Sequence, residues 1–151
     1  MIKPIVISLF LSALLAACSN HKPIAANQPL SSDQETLYQA LGGAPKVEQI
    51  VDAFIKNIAN DAQIIGYFFD ANVDHFRQGF IQHFCEATDG PCTFEGDSMR
   101  DIHTGMNITE GDFNRVVELL VQSLEQAQVS YPLQNRILKK LAPLRTDIIK
   151  I

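Results

Sequence analysis

Hydrophobic residues along this chain recur at intervals of three and four, the spacing that keeps them on one face of a helix. The clearest run is Val47, Ile50, Val51, Phe54, Ile55 and Ile58, opened by Pro45, whose missing N–H costs nothing in a helix's first turn. Upstream, Ser32-Asp33-Gln34-Glu35 reads as a capping box. It predicts a short helix through Leu37, Tyr38 and Leu41 that stops at Gly42-Gly43. Ile64, Ile65, Tyr67, Phe68 and Phe69 form an apolar knot short enough for one turn or a tight corner, and Val73, Phe76, Phe80, Ile81 and Phe84 return to helical spacing until Asp89-Gly90-Pro91 breaks it.

Thr93 to Gly96 reads as loop, and Asp97 to Gly105 as a short helix carrying Met99, Ile102 and His103. Thr109 with Asp112 is a second cap signal, followed by Phe113, Val116, Val117, Leu120, Val121 and Leu124 on one face. Pro132 opens a last helix with Leu133, Ile137, Leu138, Leu141, Leu144 and Ile148 inside. Pro143 is expected to kink it, because a proline removes one hydrogen bond and crowds the preceding turn. No segment alternates with period two for long enough to make a strand, so the expected class is all-α.

The N-terminus follows a different logic. Lys3 precedes an apolar run from Pro4 to Ala17 that ends Leu15-Ala16-Ala17-Cys18, the order of features in a secretory signal peptide. The ending also resembles the bacterial lipobox, which implies cleavage before Cys18 and lipidation of that cysteine. Ser19, where the sorting pattern of lipoproteins would otherwise place an aspartate, points to the outer membrane, facing the periplasm. The expected organisation is therefore a signal peptide over 1–17, a lipidated cysteine and flexible tether over 18–32, and one domain over 33–151.

The chain has 151 residues with 46% hydrophobic and 19% charged side chains, ordinary for a single globular domain. With 17 acidic against 12 basic residues and a net charge of −5, it lacks the basic excess that phosphate backbones attract, and nucleic acid is not an expected partner. After the N-terminus no apolar run reaches the roughly 20 residues a bilayer span needs, so membrane contact is expected through the lipid anchor alone. Setting Cys18 aside leaves Cys85 and Cys92, an even pair. An oxidising compartment would allow a disulfide between them; the other reading is two separate buried thiols, and geometry decides.

Several short motifs in a fixed order carry a resemblance. They are Leu41-Gly42-Gly43, the Phe68-Phe69 corner, Gly90-Pro91 followed by Phe94-x-Gly96, Met99-Arg100-x-x-His103, Gly105-x-x-Ile108-Thr109, and Leu141-Ala142-Pro143-Leu144. Together, from Leu37 to Ile149, they resemble the truncated haemoglobins of the first group. The resemblance implies a two-over-two helical sandwich around a b-type haem, with His103 as the iron ligand and Phe68 packed on the haem. Haem iron commonly takes one imidazole, and a histidine on a short helix can give its other ring N–H to a carbonyl one turn earlier, here near Met99. Phe54, Phe80, Phe84, Met99, Val117 and Val121 are candidates for the pocket wall, and membership of the core alone is the other reading for each. Arg100 or Arg77 could pair with a propionate, or simply face solvent.

On the distal side the chain departs from the family. Ile55 stands where a tyrosine often hydrogen-bonds bound oxygen, and Phe76 and Phe80 stand at two further positions that carry polar groups in other members. An apolar wall offers no donor, so bound oxygen should leave faster or oxidise the iron more readily. His83 stands where phenylalanine is usual, three residues after Phe80, with Gln82 and His75 on the same helix. It is a candidate distal donor or sixth ligand, with a surface position as the alternative. The resemblance implies binding of oxygen, NO or CO, and any NO dioxygenation or peroxide chemistry would belong to the haem. A redox partner cannot be named from the sequence. The reading from a different class is a helical lipoprotein sensor or interaction module that keeps the fold without haem.

Overall fold

A computed structural model of the chain describes residues 35–151. The Ser32 end of the expected capping box, the signal-peptide segment and Cys18 lie outside the described residues. Helix α1 spans Leu37–Leu41 and is capped by Thr36 rather than Ser32. Thr36 Oγ1 accepts from the Gln39 N–H at 3.2 Å while Gln39 Oε1 accepts from the Thr36 N–H at 3.0 Å. Thr36-x-x-Gln39 is thus a second box nearer the glycine pair, and Glu35 is not helical. Gly42 closes α1 at φ 108°, a left-handed conformation that glycine adopts without the steric penalty of a side chain.

Helix α2 (Ala44–Ala59) buries Val47, Ile50, Val51, Phe54 and Ile58. Its faces meet α3 (Val73–Ala87) and α5 (Glu110–Gln126), and α3 also reaches α6 (Tyr131–Leu141), so one helix pair lies on the other. Leu119, Leu120 and Leu124 from α5, Phe84 from α3 and Ile137 from α6 complete the core with Leu37 and Leu41. Asn57 Nδ2 donates to Ser123 Oγ at 2.9 Å, satisfying polar groups where α2 crosses α5. The described residues contain no strand.

Between α2 and α3 the apolar knot forms a 3-10 turn, Ile65–Phe68. Two of the expected core residues face outward: Phe69 is 77% exposed and Val73 is 56% exposed. Phe69 falls just beyond the turn, and Val73 is the first residue of α3, directly after the Asn72 cap. Helix α4 (Met99–His103) is capped by Ser98 and leaves Ile102 exposed as well. Helix α5 starts with the Thr109–Asp112 box. At Pro143 the last helix does more than kink. Helix α6 ends at Leu141 and the chain continues as a 3-10 turn over Ala142–Asp147, because the proline has no N–H with which to extend the α ladder.

Cys85, in the last turn of α3, is joined to Cys92 in the following loop by a disulfide, with Cα atoms 5.8 Å apart. Gly90 lies inside that closed loop, and a Cβ there would stand 2.6 Å from Cys85 Sγ and 2.8 Å from the Tyr38 ring. Only glycine fits between them.

Candidate functional site

Residues 76, 80 and 83 are four and three apart on α3, so their side chains share one face. They form a row of rings: Phe68 meets Phe76 edge-on at 5.0 Å, Phe76 stacks nearly parallel to Phe80 at 5.8 Å, and His83 follows Phe80 at 6.5 Å. Phe94, from the disulfide-closed loop, stands edge-on to His83 at 5.3 Å. Each of these rings is half-buried. Phe54 and Phe84 contact Phe80 from behind and are nearly inaccessible, so they belong to the core that backs the row and not to its surface. Ile55, Phe68 and Phe76 also line an entirely apolar cavity of about 80 Å3 between α2, the 3-10 turn and α3.

His103 ends α4. Its Nδ1 lies 2.6 Å from the Met99 carbonyl oxygen one turn earlier. A carbonyl can only accept, so Nδ1 carries the proton and Nε2 presents its lone pair. That tautomer is the one a metal needs. Helix α4 packs mainly on the C-terminal 3-10 turn, where Arg100 bonds Asp147 at 2.9 Å, and the Gly105 N–H donates to the Ile151 carbonyl at 3.1 Å. Met99 on α4 and Val117 and Val121 on α5 are half-buried.

Neither arginine named as a propionate partner is unpaired. Arg77 forms a two-pronged pair with Asp52 at 2.6 and 3.1 Å and reaches Glu48, and its guanidinium holds the Asp52 carboxyl below the usual range. Arg100 is engaged with Asp147. His75 and Gln82 are exposed, away from the row.

Sequence reasoning missed two features. Phe94 is one, brought onto His83 by the disulfide loop. The other is the anchorage of Phe68. Tyr67 Oη donates to Asp112 Oδ2 at 2.9 Å and Gln63 Nε2 donates to Asp112 Oδ1 at 3.0 Å, so the capping aspartate of α5 also fixes the turn that carries Phe68. Hydrogen bonds from Thr109, Gln63 and Tyr67 hold the Asp112 carboxyl well below its ordinary range. Nearby, buried Asp61 accepts from Arg115 Nε at 2.7 Å and from the Ile64 N–H. The Asp112 signal was visible as a cap, but its contact 45 positions away was not.

The donor set and wall fit a haem. A half-buried aromatic row on α3 and half-buried apolar side chains on α4 and α5 suit a broad flat macrocycle, and one imidazole lone pair suits an iron whose other ligands the macrocycle supplies.

Fold and site together define a helical globin of the shortened kind. The chain belongs to the bacterial-like globin family, whose pattern it matches over residues 36–150. It is 28% identical over 117 residues to a group 1 truncated haemoglobin of Mycolicibacterium paratuberculosis, covering 78% of this chain and 86% of that protein. Its structure is similar to the truncated haemoglobin of Tetrahymena pyriformis in the Fe(III) form, with a TM-score of 0.73, 25% identity and coverage of 76% and 97%. It is likewise similar to the 2/2 haemoglobin of Synechococcus sp. PCC 7002, a cyanomet structure with covalently attached haem, with a TM-score of 0.72, 25% identity and coverage of 77% and 99%.

Proposed function

We infer that this protein is a haem globin that binds a diatomic gas, oxygen, NO or CO, at the iron of a b-type haem, with His103 as its protein ligand. The observation that carries this reading is the Nδ1 bond to the Met99 carbonyl, which leaves Nε2 as the ligating atom. The bound haem supplies reversible gas binding and any NO-detoxifying or peroxide chemistry. The chain's own residues do the rest. Met99 orients the imidazole through its carbonyl, Phe68, Phe76 and Phe80 wall the haem and exclude water, and Ile55 adds apolar surface beside them. Phe54 and Phe84 brace that wall from the core.

The test is the visible spectrum of the full chain with haem added, ferric and ferrous, with and without CO. Wild type is expected to give a Soret band, and His103→Ala to lose haem or shift to a weakly ligated form. An unchanged ferrous spectrum in the variant refutes His103 as ligand. A wild-type chain that stays colourless refutes the haem reading and favours an interaction module.

We further propose that the protein is exported and anchored to the outer membrane, facing the periplasm, by lipid on Cys18. The order of Lys3, the apolar run and Leu15-Ala16-Ala17-Cys18 supports this, and the Cys85–Cys92 bridge suits an oxidising compartment. Among the described residues no helix is long and apolar enough to cross a membrane. Cell fractionation of Cys18→Ser is expected to release the protein from membranes; continued membrane association counts against the anchor.

A further inference from the structure

We propose that His83 donates a hydrogen bond to the diatomic ligand on the distal side of this haem site, and that Phe94 positions it for that role. The proposal rests on the haem-globin reading above. Ile55, Phe76 and Phe80 offer no donor, and His83 is the polar side chain in the ring row of α3. Among the described residues its ring nitrogens have no hydrogen-bond partner, although the ring is half-buried. Neither nitrogen is sealed from solvent, so the ring carries a donor that the protein does not use and that water or a bound ligand can take. Burial pushes the imidazole below its ordinary value, outweighing the opposing charge of Glu86, so the ring is neutral at pH 7 and carries one N–H to give.

The ring is also held. Phe80 lies on one side at 6.5 Å and Phe94 meets it edge-on at 5.3 Å. Three features seat Phe94. The bridge from Cys92 to Cys85 returns the loop to α3 two residues beyond His83. The Phe94 N–H donates to Glu86 Oε1 at 3.3 Å. Its ring folds over Gly96, where a Cβ would stand 2.4 Å from Phe94 Cζ. An imidazole flanked on two sides is suited to donating from a fixed position.

The test uses the haem-loaded full chain as its ferrous CO complex, read by the C–O stretching frequency, together with the oxygen dissociation rate. His83→Phe keeps an aromatic ring in the slot and removes the donor. It is expected to raise the C–O stretch and speed oxygen release by about tenfold or more, the loss expected for a hydrogen bond to a polarised group. His83→Gln, which still donates, is expected to recover part of both changes, and Phe94→Ala to fall between wild type and His83→Phe. An unchanged stretch and oxygen rate in His83→Phe, with the His103-dependent Soret band intact, overturns the proposal and leaves the globin reading standing. A low-spin six-coordinate wild type that becomes five-coordinate in His83→Phe also overturns it, in favour of direct ligation. Wild-type behaviour of Phe94→Ala overturns the positioning role. A wild-type chain that takes up no haem overturns both readings.

Discussion

Breaking the Cys85–Cys92 bridge perturbs one well-defined contribution to stability. The two cysteines stand seven positions apart, and closing a loop of about eight residues in the unfolded chain is worth about 2.5 kcal/mol by the chain-entropy relation. At about 2.1 cal/mol/K of unfolding entropy per residue, a domain of this size should lose about 10 °C in Tm for that change. The bridge has further consequences in the folded state, since Cys85 is almost fully buried and the loop places Phe94 on His83. The assay is thermal unfolding followed by far-UV circular dichroism, with and without reductant, for wild type and Cys92→Ala. Wild type in reductant and the variant in either condition should melt together, well below oxidised wild type. A difference under about 3 °C, or a variant that still responds to reductant, would refute the assignment of stability to this bridge.

Gly90→Ala should destabilise the fold by about 1 to 3 kcal/mol, the usual cost of forcing extra volume into a packed site, because its Cβ would meet Cys85 Sγ, the Cys85 carbonyl and the Tyr38 ring all within 2.8 Å. Urea unfolding checks this, and a midpoint equal to wild type would show that the loop yields. The half-buried His83 predicts a pH dependence. Its folded value lies below the ordinary 6.5, so the unfolded chain binds the proton first as pH falls through that value, and stability present at neutral pH is lost on acidification. Urea midpoints at pH 7.5 and 5.5 should differ more for wild type than for His83→Phe; equal slopes would remove His83 from the account.

The parts of this fold that could be read from sequence are those decided within one helical turn. The stripe from Val47 to Ile58 fixes α2 because every apolar position falls on one face, and Thr109–Asp112 fixes the start of α5 because both partners of the box lie within three residues. His103 and the Met99 carbonyl are likewise four residues apart, so their bond follows from helical geometry alone. Where two local signals compete, sequence cannot rank them. The Thr36 box sets α1, and the choice agrees with tertiary contacts: Leu37 is buried, and the Tyr38 N–H donates to the Thr88 carbonyl at 2.7 Å, from the far end of α3. The apolar corner shows the same limit. Phe68 and Phe69 are equivalent as residue types, and only packing turns one inward and leaves the other exposed.

This division runs through the site. On the proposed proximal side, His103 and the carbonyl that orients it share a single turn of α4, so their geometry needs little from the rest of the chain. The proposed distal side rests on a contact between His83 and Phe94, eleven positions apart and brought together by a covalent loop. The imidazole proposed to hold iron is therefore set by local structure, and the imidazole proposed to meet the gas by a long-range contact that the disulfide closes. If Phe94 governs the donor, distal polarity is tied to the redox state of the compartment, while haem retention through His103 is not. In the oxidising space proposed for this chain, the loop that seats Phe94 would stay closed.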